Sequence, residues 1–122
     1  MKIVSAVNAM VANSSRISNV TTGRSGELFF EYGGKYKWSI TRDNEGHVKL
    51  WFYPGKQSLE ELASYSDYDW NDFNDMVFYS AKELGTREAI ESFEELFRVV
   101  KEKQYGVDEA LDDIISGSGW KL

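Results

Sequence analysis

The sequence predicts an α+β fold: an N-terminal helix, a three- or four-stranded antiparallel β-meander over about residues 17–53, and then three or four helices packed on the sheet. Three observations favour this order. Apolar residues recur at helical spacing in residues 2–12, apolar and polar residues alternate from Glu27 to Tyr53, and helical spacing returns after Pro54. One helix, a run of strands and a run of helices are typical of an α+β domain.

The chain of 122 residues has the length of one domain, and no linker or internal repeat divides it. We expect this domain over residues 1–117 and a flexible tail over residues 118–122. Zero cysteines exclude disulfides and thiol-ligated metal centres, which favours a reducing cytoplasm. The sequence has no run of about 18 apolar residues, so no membrane partner is expected.

The strands of the meander are predicted from side-chain parity and turn chemistry. Ile17–Thr22 is expected to form an edge strand. A three-residue turn over residues 32–34, with Gly34 in the left-handed conformation, would pair Phe30 with Tyr36. One face of the sheet would then carry the apolar side chains: Leu28, Phe30, Tyr36, Trp38, Ile40, Val48, Leu50 and Phe52.

A second turn of the same kind is predicted at residues 44–46, where Gly46 takes the left-handed position. This turn would pair Ile40 with Leu50 and Trp38 with Phe52. The two hairpins together define the predicted meander.

Helical spacing after Pro54 predicts the remaining elements. Ser58 is expected to cap a short helix, because Glu61 follows three residues later as a capping box requires. A second helix is predicted from one stripe of apolar residues, ended by Gly85: Trp70, Phe73, Val77 and Ala81.

A long helix is predicted over about residues 87–103, with Thr86 as its N-cap. A last short helix is expected after residue 108. Its apolar residues Leu111, Ile114 and Ile115 recur at helical spacing, so we expect them to face inward.

Charge is unevenly distributed along the chain. Residues 1–57 carry eight Lys and Arg against four acids, a balance of +4, whereas residues 58–122 carry six against sixteen, a balance of −10. Such asymmetry indicates either an acidic face that attracts basic partners or acids that coat helices whose other side is buried.

The stretch SDYDWNDFNDM, residues 66–76, concentrates aspartates among aromatic rings. It resembles the start of a calcium-binding loop, but Asp72 stands where a glycine is needed and Phe78 where a bidentate glutamate is needed. The pattern is better explained by a helix N-cap at Ser66, Asp67 or Asp69, with acids in the first turn. No metal ion or cofactor is expected.

Catalytic residues are not indicated by any motif. His47 is the only histidine, and the second hairpin places it opposite Asp43, so a hydrolase centred on these two residues is the weakest of three hypotheses. We therefore expect no enzyme activity.

The outer face of the predicted sheet combines aromatic and basic residues. The predicted register places Phe29, Lys37 and Tyr53 in one row, with Trp51 and Lys49 beside them. Rings next to cations on a sheet hold bases and phosphates in many single-strand nucleic-acid readers. If helices cover this face, the rings belong to the core instead, and such dense aromatics favour burial.

The leading hypothesis is a small, acidic, non-enzymatic protein-binding module of the cytoplasm, such as an inhibitor, an adaptor or a chaperone-like protein. It would bind a partner with a basic surface through six acids: Glu60, Glu61, Asp67, Asp69, Asp72 and Asp75. In broad architecture this looks like small acidic proteins that act by binding another protein, such as secretion chaperones or mobile-element inhibitors. The alternative is single-stranded nucleic-acid binding on the outer sheet face.

Overall fold

The structure, a computed structural model, describes residues 1–117; the predicted tail over residues 118–122 lies outside the described residues. The predicted α+β class is confirmed. The helices are α1 (Lys2–Ala12), α2 (Leu59–Ser64), α3 (Asp67–Asn71), α4 (Ala81–Leu84), α5 (Arg87–Gln104) and α6 (Val107–Ser116). The strands are β1 (Ile17–Thr22), β2 (Leu28–Tyr32), β3 (Tyr36–Arg42), β4 (Val48–Tyr53) and β5 (Val77–Ser80).

The sheet has five antiparallel strands in the order β1-β2-β3-β4-β5, not the predicted three or four. The additional strand β5 pairs with β4, with Trp51 opposite Phe78 and Phe52 opposite Val77. The predicted helical stripe through Val77 was therefore wrong. The helix before it ends at Asn71, and the β-branched and aromatic residues from Val77 onward suit a strand that pairs the open edge of β4.

The two hairpins differ in how well their register was predicted. The second is confirmed, because Ile40 pairs with Leu50 and Trp38 with Phe52. In the first, Phe30 pairs with Trp38 rather than with Tyr36, a shift of two residues.

Two consecutive glycines explain the shift in the first hairpin. Gly33 and Gly34 both adopt left-handed backbone conformations, with φ of 66° and 68°, so the turn occupies residues 33–35 instead of 32–34. Because side chains alternate with a period of two, a shift of two residues leaves every side chain on its predicted face.

The inner face of the sheet is covered by α1 and α5. Thr86 caps α5 as predicted, because its Oγ1 accepts a hydrogen bond from the Ala89 N–H at 3.1 Å. The centre of this core is formed by residues of both helices and of the sheet: Val7, Met10, Phe30, Ile40, Leu50, Phe93, Leu96 and Val100.

The outer face is covered by α2 and α3, which lie in the connection between β4 and β5. A second core forms there from Phe29, Tyr53, Leu59, Leu62 and Ala63. Partly buried residues surround it: Trp51, Tyr65, Trp70, Phe73 and Met76. The sheet is therefore buried on both faces. Of the two possibilities that the sequence left for the outer face, exposed to solvent or covered by helices, the structure shows the second.

Helix α6 departs from its prediction. Leu111, Ile114 and Ile115 are exposed, whereas the sequence predicted that they face inward. Helical spacing identifies an amphipathic helix but does not determine which neighbour covers it, and the main contacts of α6 are with α5. None of the helices in residues 1–117 combines the length and hydrophobicity that a membrane span requires.

Candidate partner-binding surface

Residues 57–81 contain six acids and no Lys, Arg or His. All six carboxylate side chains are exposed. They lie on α2, on α3 and in the loop that leads to β5. We call this set the acidic surface: Glu60, Glu61, Asp67, Asp69, Asp72 and Asp75.

Helix α2 begins at a cap that the sequence predicted. The Ser58 Oγ accepts a hydrogen bond from the Glu61 N–H at 3.1 Å, and Glu60 and Glu61 stand in the first turn. The positive end of the helix dipole favours carboxylates at these positions. Tyr65 donates a hydrogen bond to Glu61 Oε2 at 3.3 Å, and burial together with this carboxylate raises the pKa of Tyr65.

Helix α3 begins with a complete capping box. The Ser66 Oγ accepts from the Asp69 N–H at 3.3 Å, and Asp69 Oδ2 accepts from the Ser66 N–H at 2.9 Å. The Ser66 hydrogen bonds lower the pKa of Asp69, which keeps this carboxylate ionised. The aspartate-rich stretch thus starts a helix as predicted, and Asp67 and Asp69 remain on its exposed side.

The carboxylates of the acidic surface form no ion pair within residues 1–117, although the Arg24 charge contributes to the lowered pKa of Asp69. Within residues 1–117, no Lys, Arg or His nitrogen lies within 4.0 Å of any of their oxygens. Several acids of α5 behave differently, because Glu91 pairs with Arg87 at 3.2 Å and Glu102 with Arg98 at 2.8 Å. Within residues 1–117, the six carboxylates of α2, α3 and the following loop thus form no ion pair, and neither do Glu83, Glu88 and the α6 acids Glu109, Asp112 and Asp113.

Tyr68 is a member of this surface that the sequence prediction missed. Its side chain is 78% exposed and lies in sequence between Asp67 and Asp69. The sequence contained a signal for this exposure. Tyr68 stands between two aspartates and does not belong to the apolar helical stripe that contains Trp70 and Phe73. Tyrosine is one of the residues enriched in the energetically important centres of protein interfaces.

The predicted nucleic-acid face is largely buried. Phe29 is 0% and Tyr53 4% exposed, so neither ring offers an open face on which a base could stack, and Trp51 is half-buried. The predicted row was wrong for Phe29, which pairs with Ser39 rather than with Lys37 because of the two-residue shift.

The two lysines of that face are engaged by the chain itself. Lys37 Nζ donates hydrogen bonds to the carbonyl oxygen of Gly55, at 2.6 Å, and to that of Gln57. Lys49 Nζ lies 3.7 Å from Asp43 Oδ2. The five residues of the nucleic-acid hypothesis therefore do not form an open binding platform.

His47 lies at the turn between β3 and β4 beside two carboxylates. Its Nδ1 is 3.6 Å from Asp43 Oδ2 and 3.8 Å from Glu45 Oε1. Asp43 Oδ1 accepts the N–H groups of Glu45 and His47, both at 2.9 Å, and the His47 bond contributes most to lowering the pKa of Asp43. In residues 1–117 no hydroxyl group is hydrogen-bonded to the imidazole, so the turn holds no assembled nucleophile and base.

Comparisons with protein-family models, with curated proteins and with solved structures give no match to this chain.

Proposed function

We propose that the protein is a non-enzymatic binding module that uses the acidic surface to engage a partner protein with a basic surface. One observation carries the proposal: six exposed carboxylates share one layer of the fold without a cation of residues 1–117 within 4.0 Å. Uncompensated charge of one sign accelerates association with an oppositely charged protein and orients the encounter.

The scaffold supports such a role. The carboxylates stand on helices held by Ser58 and Ser66 caps and by the second core, so little order has to be gained on binding. Tyr68 supplies an exposed ring among the charges. An inhibitor, adaptor or chaperone-like protein of the cytoplasm fits this arrangement. A surface of negative charge would suit an inhibitor of a mobile element's nucleic-acid-binding protein, because such a protein binds phosphates through basic residues.

The test is affinity capture from an extract of the source cells with three forms of the protein. The first is the wild type. The second replaces Glu60→Gln, Asp72→Asn and Asp75→Asn, which leaves the capping residue Asp69 intact. The third is a charge-matched control, Glu88→Gln, Glu91→Gln and Glu102→Gln, which removes the same charge from exposed positions of α5.

We expect a protein that the wild type and the α5 control retain, that the acidic-surface variant loses, and whose capture weakens with added salt. Equal capture by all three forms, or no salt-dependent partner, would refute the proposal. Titration of labelled single-stranded oligonucleotides at low salt belongs to the same experiment, because tight binding there would favour the nucleic-acid alternative.

A further inference from the structure

A cleft opens on the outer face of the sheet, between β4 and α3. Its volume is about 200 Å³, and its lining includes Trp51, Tyr53 and Trp70 together with Glu27 and Ser39. Trp51 and Tyr53 come from the sheet, whereas Trp70 belongs to the helix that covers it. The cleft therefore combines three electron-rich rings with one carboxylate.

The rings are held in place by their neighbours. Trp70 stacks on Phe29, with centroids 6.2 Å apart and planes 8° from parallel, and Tyr65 packs edge-on against it at 5.0 Å. Tyr53 lies 6.0 Å from Trp70 and hydrogen-bonds to Ser39 through its hydroxyl at 2.7 Å. The aromatic lining thus exists before any ligand enters.

The carboxylate of Glu27 is fixed and not neutralised. Its Oε1 accepts a hydrogen bond from the Ser25 N–H at 3.0 Å, and no Lys, Arg or His nitrogen of residues 1–117 lies within 4.0 Å. Burial, with the Glu27 charge adding to it, raises the pKa of Tyr53 to about 12, so this ring stays a neutral phenol. The cleft therefore has a carboxylate in its lining that forms no ion pair within residues 1–117.

We propose that this cleft binds a methylated ammonium group, such as a trimethylammonium. Aromatic rings attract cations through their quadrupole, and assemblies of rings recognise quaternary ammonium groups. An unmethylated ammonium is strongly hydrated and carries three donors, which rings cannot satisfy. Because a water occupies roughly 30 Å³, the cleft has room for about six non-hydrogen atoms, enough for a trimethylammonium and its attached carbon.

Two biological sources carry this group: a methylated lysine of a peptide and a choline-type small molecule.

The proposal is independent of the acidic surface, because none of the six acids lines the cleft. The two proposals can therefore fail separately.

The first experiment compares choline with its neutral isostere 3,3-dimethyl-1-butanol, using the indole N–H signals of Trp51 and Trp70 in ¹H–¹⁵N spectra. We expect choline to shift both signals with a dissociation constant in the millimolar range and the isostere to bind at least about tenfold more weakly, since only the cation gains from the rings and the carboxylate. Equal binding of the two, or no shift with choline at any soluble concentration, would overturn the proposal.

Variants then locate the site. Glu27→Gln keeps an acceptor for the Ser25 N–H but removes the charge, and Trp51→Leu removes one ring. Both are expected to weaken choline binding about fivefold or more, whereas Glu60→Gln on the acidic surface and Tyr36→Leu on the opposite sheet face should not. Loss of binding in the two controls, or unchanged binding in both cleft variants while their thermal unfolding matches the wild type, would contradict the assignment.

Peptides with one trimethylated or one unmodified lysine, and phosphocholine, separate the two sources. Preference for the trimethylated peptide identifies a modified protein as the ligand, and preference for phosphocholine identifies a choline compound. Equal binding of the modified and unmodified peptides would contradict recognition of the methyl groups.

Discussion

The hydroxyl pair of Ser39 and Tyr53 offers a sharp test of the outer core. Ser39 is 1% exposed, and its Oγ lies 2.7 Å from the Tyr53 OH. Tyr53→Phe would leave the Ser39 hydroxyl without its partner, which costs about 1–3 kcal/mol for a buried group. We expect Tyr53→Phe to lower the free energy of unfolding by about 1–2 kcal/mol, because water can reach the Ser39 hydroxyl from the adjoining cleft.

The double variant Ser39→Ala, Tyr53→Phe provides the control. It removes both polar groups, so we expect it to be nearly as stable as the wild type and more stable than either single variant. The assay is urea unfolding at pH 8, followed by circular dichroism. If the double variant lost the sum of the two single effects, the hydroxyls would not form the coupled pair described above.

The same pair predicts a dependence on alkaline pH. The folded-state pKa of Tyr53 is about 12, above the usual tyrosine value of 10.0, so its contribution to stability is complete below pH 10 and is lost as the pH rises through 12. At pH 11 about half of the stability that follows from the raised pKa is lost, which lowers the free energy of unfolding by roughly 1.4 kcal/mol. The gap between the wild type and Tyr53→Phe, about 1–2 kcal/mol at pH 8, should therefore nearly close at pH 11. A constant gap between pH 8 and pH 11 would refute the reasoning.

Two further substitutions test how the outer layer is positioned. Gly23→Ala should destabilise the protein by about 1–3 kcal/mol in urea unfolding. A Cβ at this position would lie 2.7 Å from Phe29 Cε2 and would also clash with Glu27 Oε1. An unchanged midpoint would mean that the Phe29 ring moves aside freely. Lys37→Met should cost about 1.5–3 kcal/mol, because the carbonyls of Gly55 and Gln57 lose a charged donor, and Lys37→Arg should recover part of this loss. If the Met variant were as stable as the wild type, Lys37 would not hold that loop.

The sequence was most informative where local chemistry decides the conformation. The turn at residues 44–46 needs one left-handed residue, which Gly46 supplies at a φ of 86°, and its register was predicted correctly. The caps at Ser58 and Thr86 were likewise predicted, because each depends on residues three positions apart. For α3 the sequence left Ser66, Asp67 and Asp69 as candidate caps, and the structure shows Ser66. The first hairpin misled the prediction because it uses two successive left-handed glycines.

Features that depend on distant partners were harder to predict. The strand β5 is only four residues long, and its apolar residues also fit a helical stripe. These residues form a strand because they pair with the open edge of β4. The local sequence pattern gives no information about that distant partner. The exposure of the six acids followed from their residue type, but the absence of nearby cations and the cleft at Trp70 arise from how α2 and α3 lie on the sheet.

The helices α2 and α3, which cover the outer face of the sheet, belong to one continuous segment between the adjacent strands β4 and β5. The chain leaves the sheet after Tyr53 and returns at Val77 beside the strand it left, so residues 54–76 could be shortened to a hairpin loop without changing the order of any strand. Such a connection could be exchanged as one unit, provided that Phe29, Trp51 and Tyr53 are replaced at the same time, since these sheet residues would otherwise lose their cover. New binding specificities could therefore be grafted onto this sheet by redesigning one continuous segment and three residues beneath it.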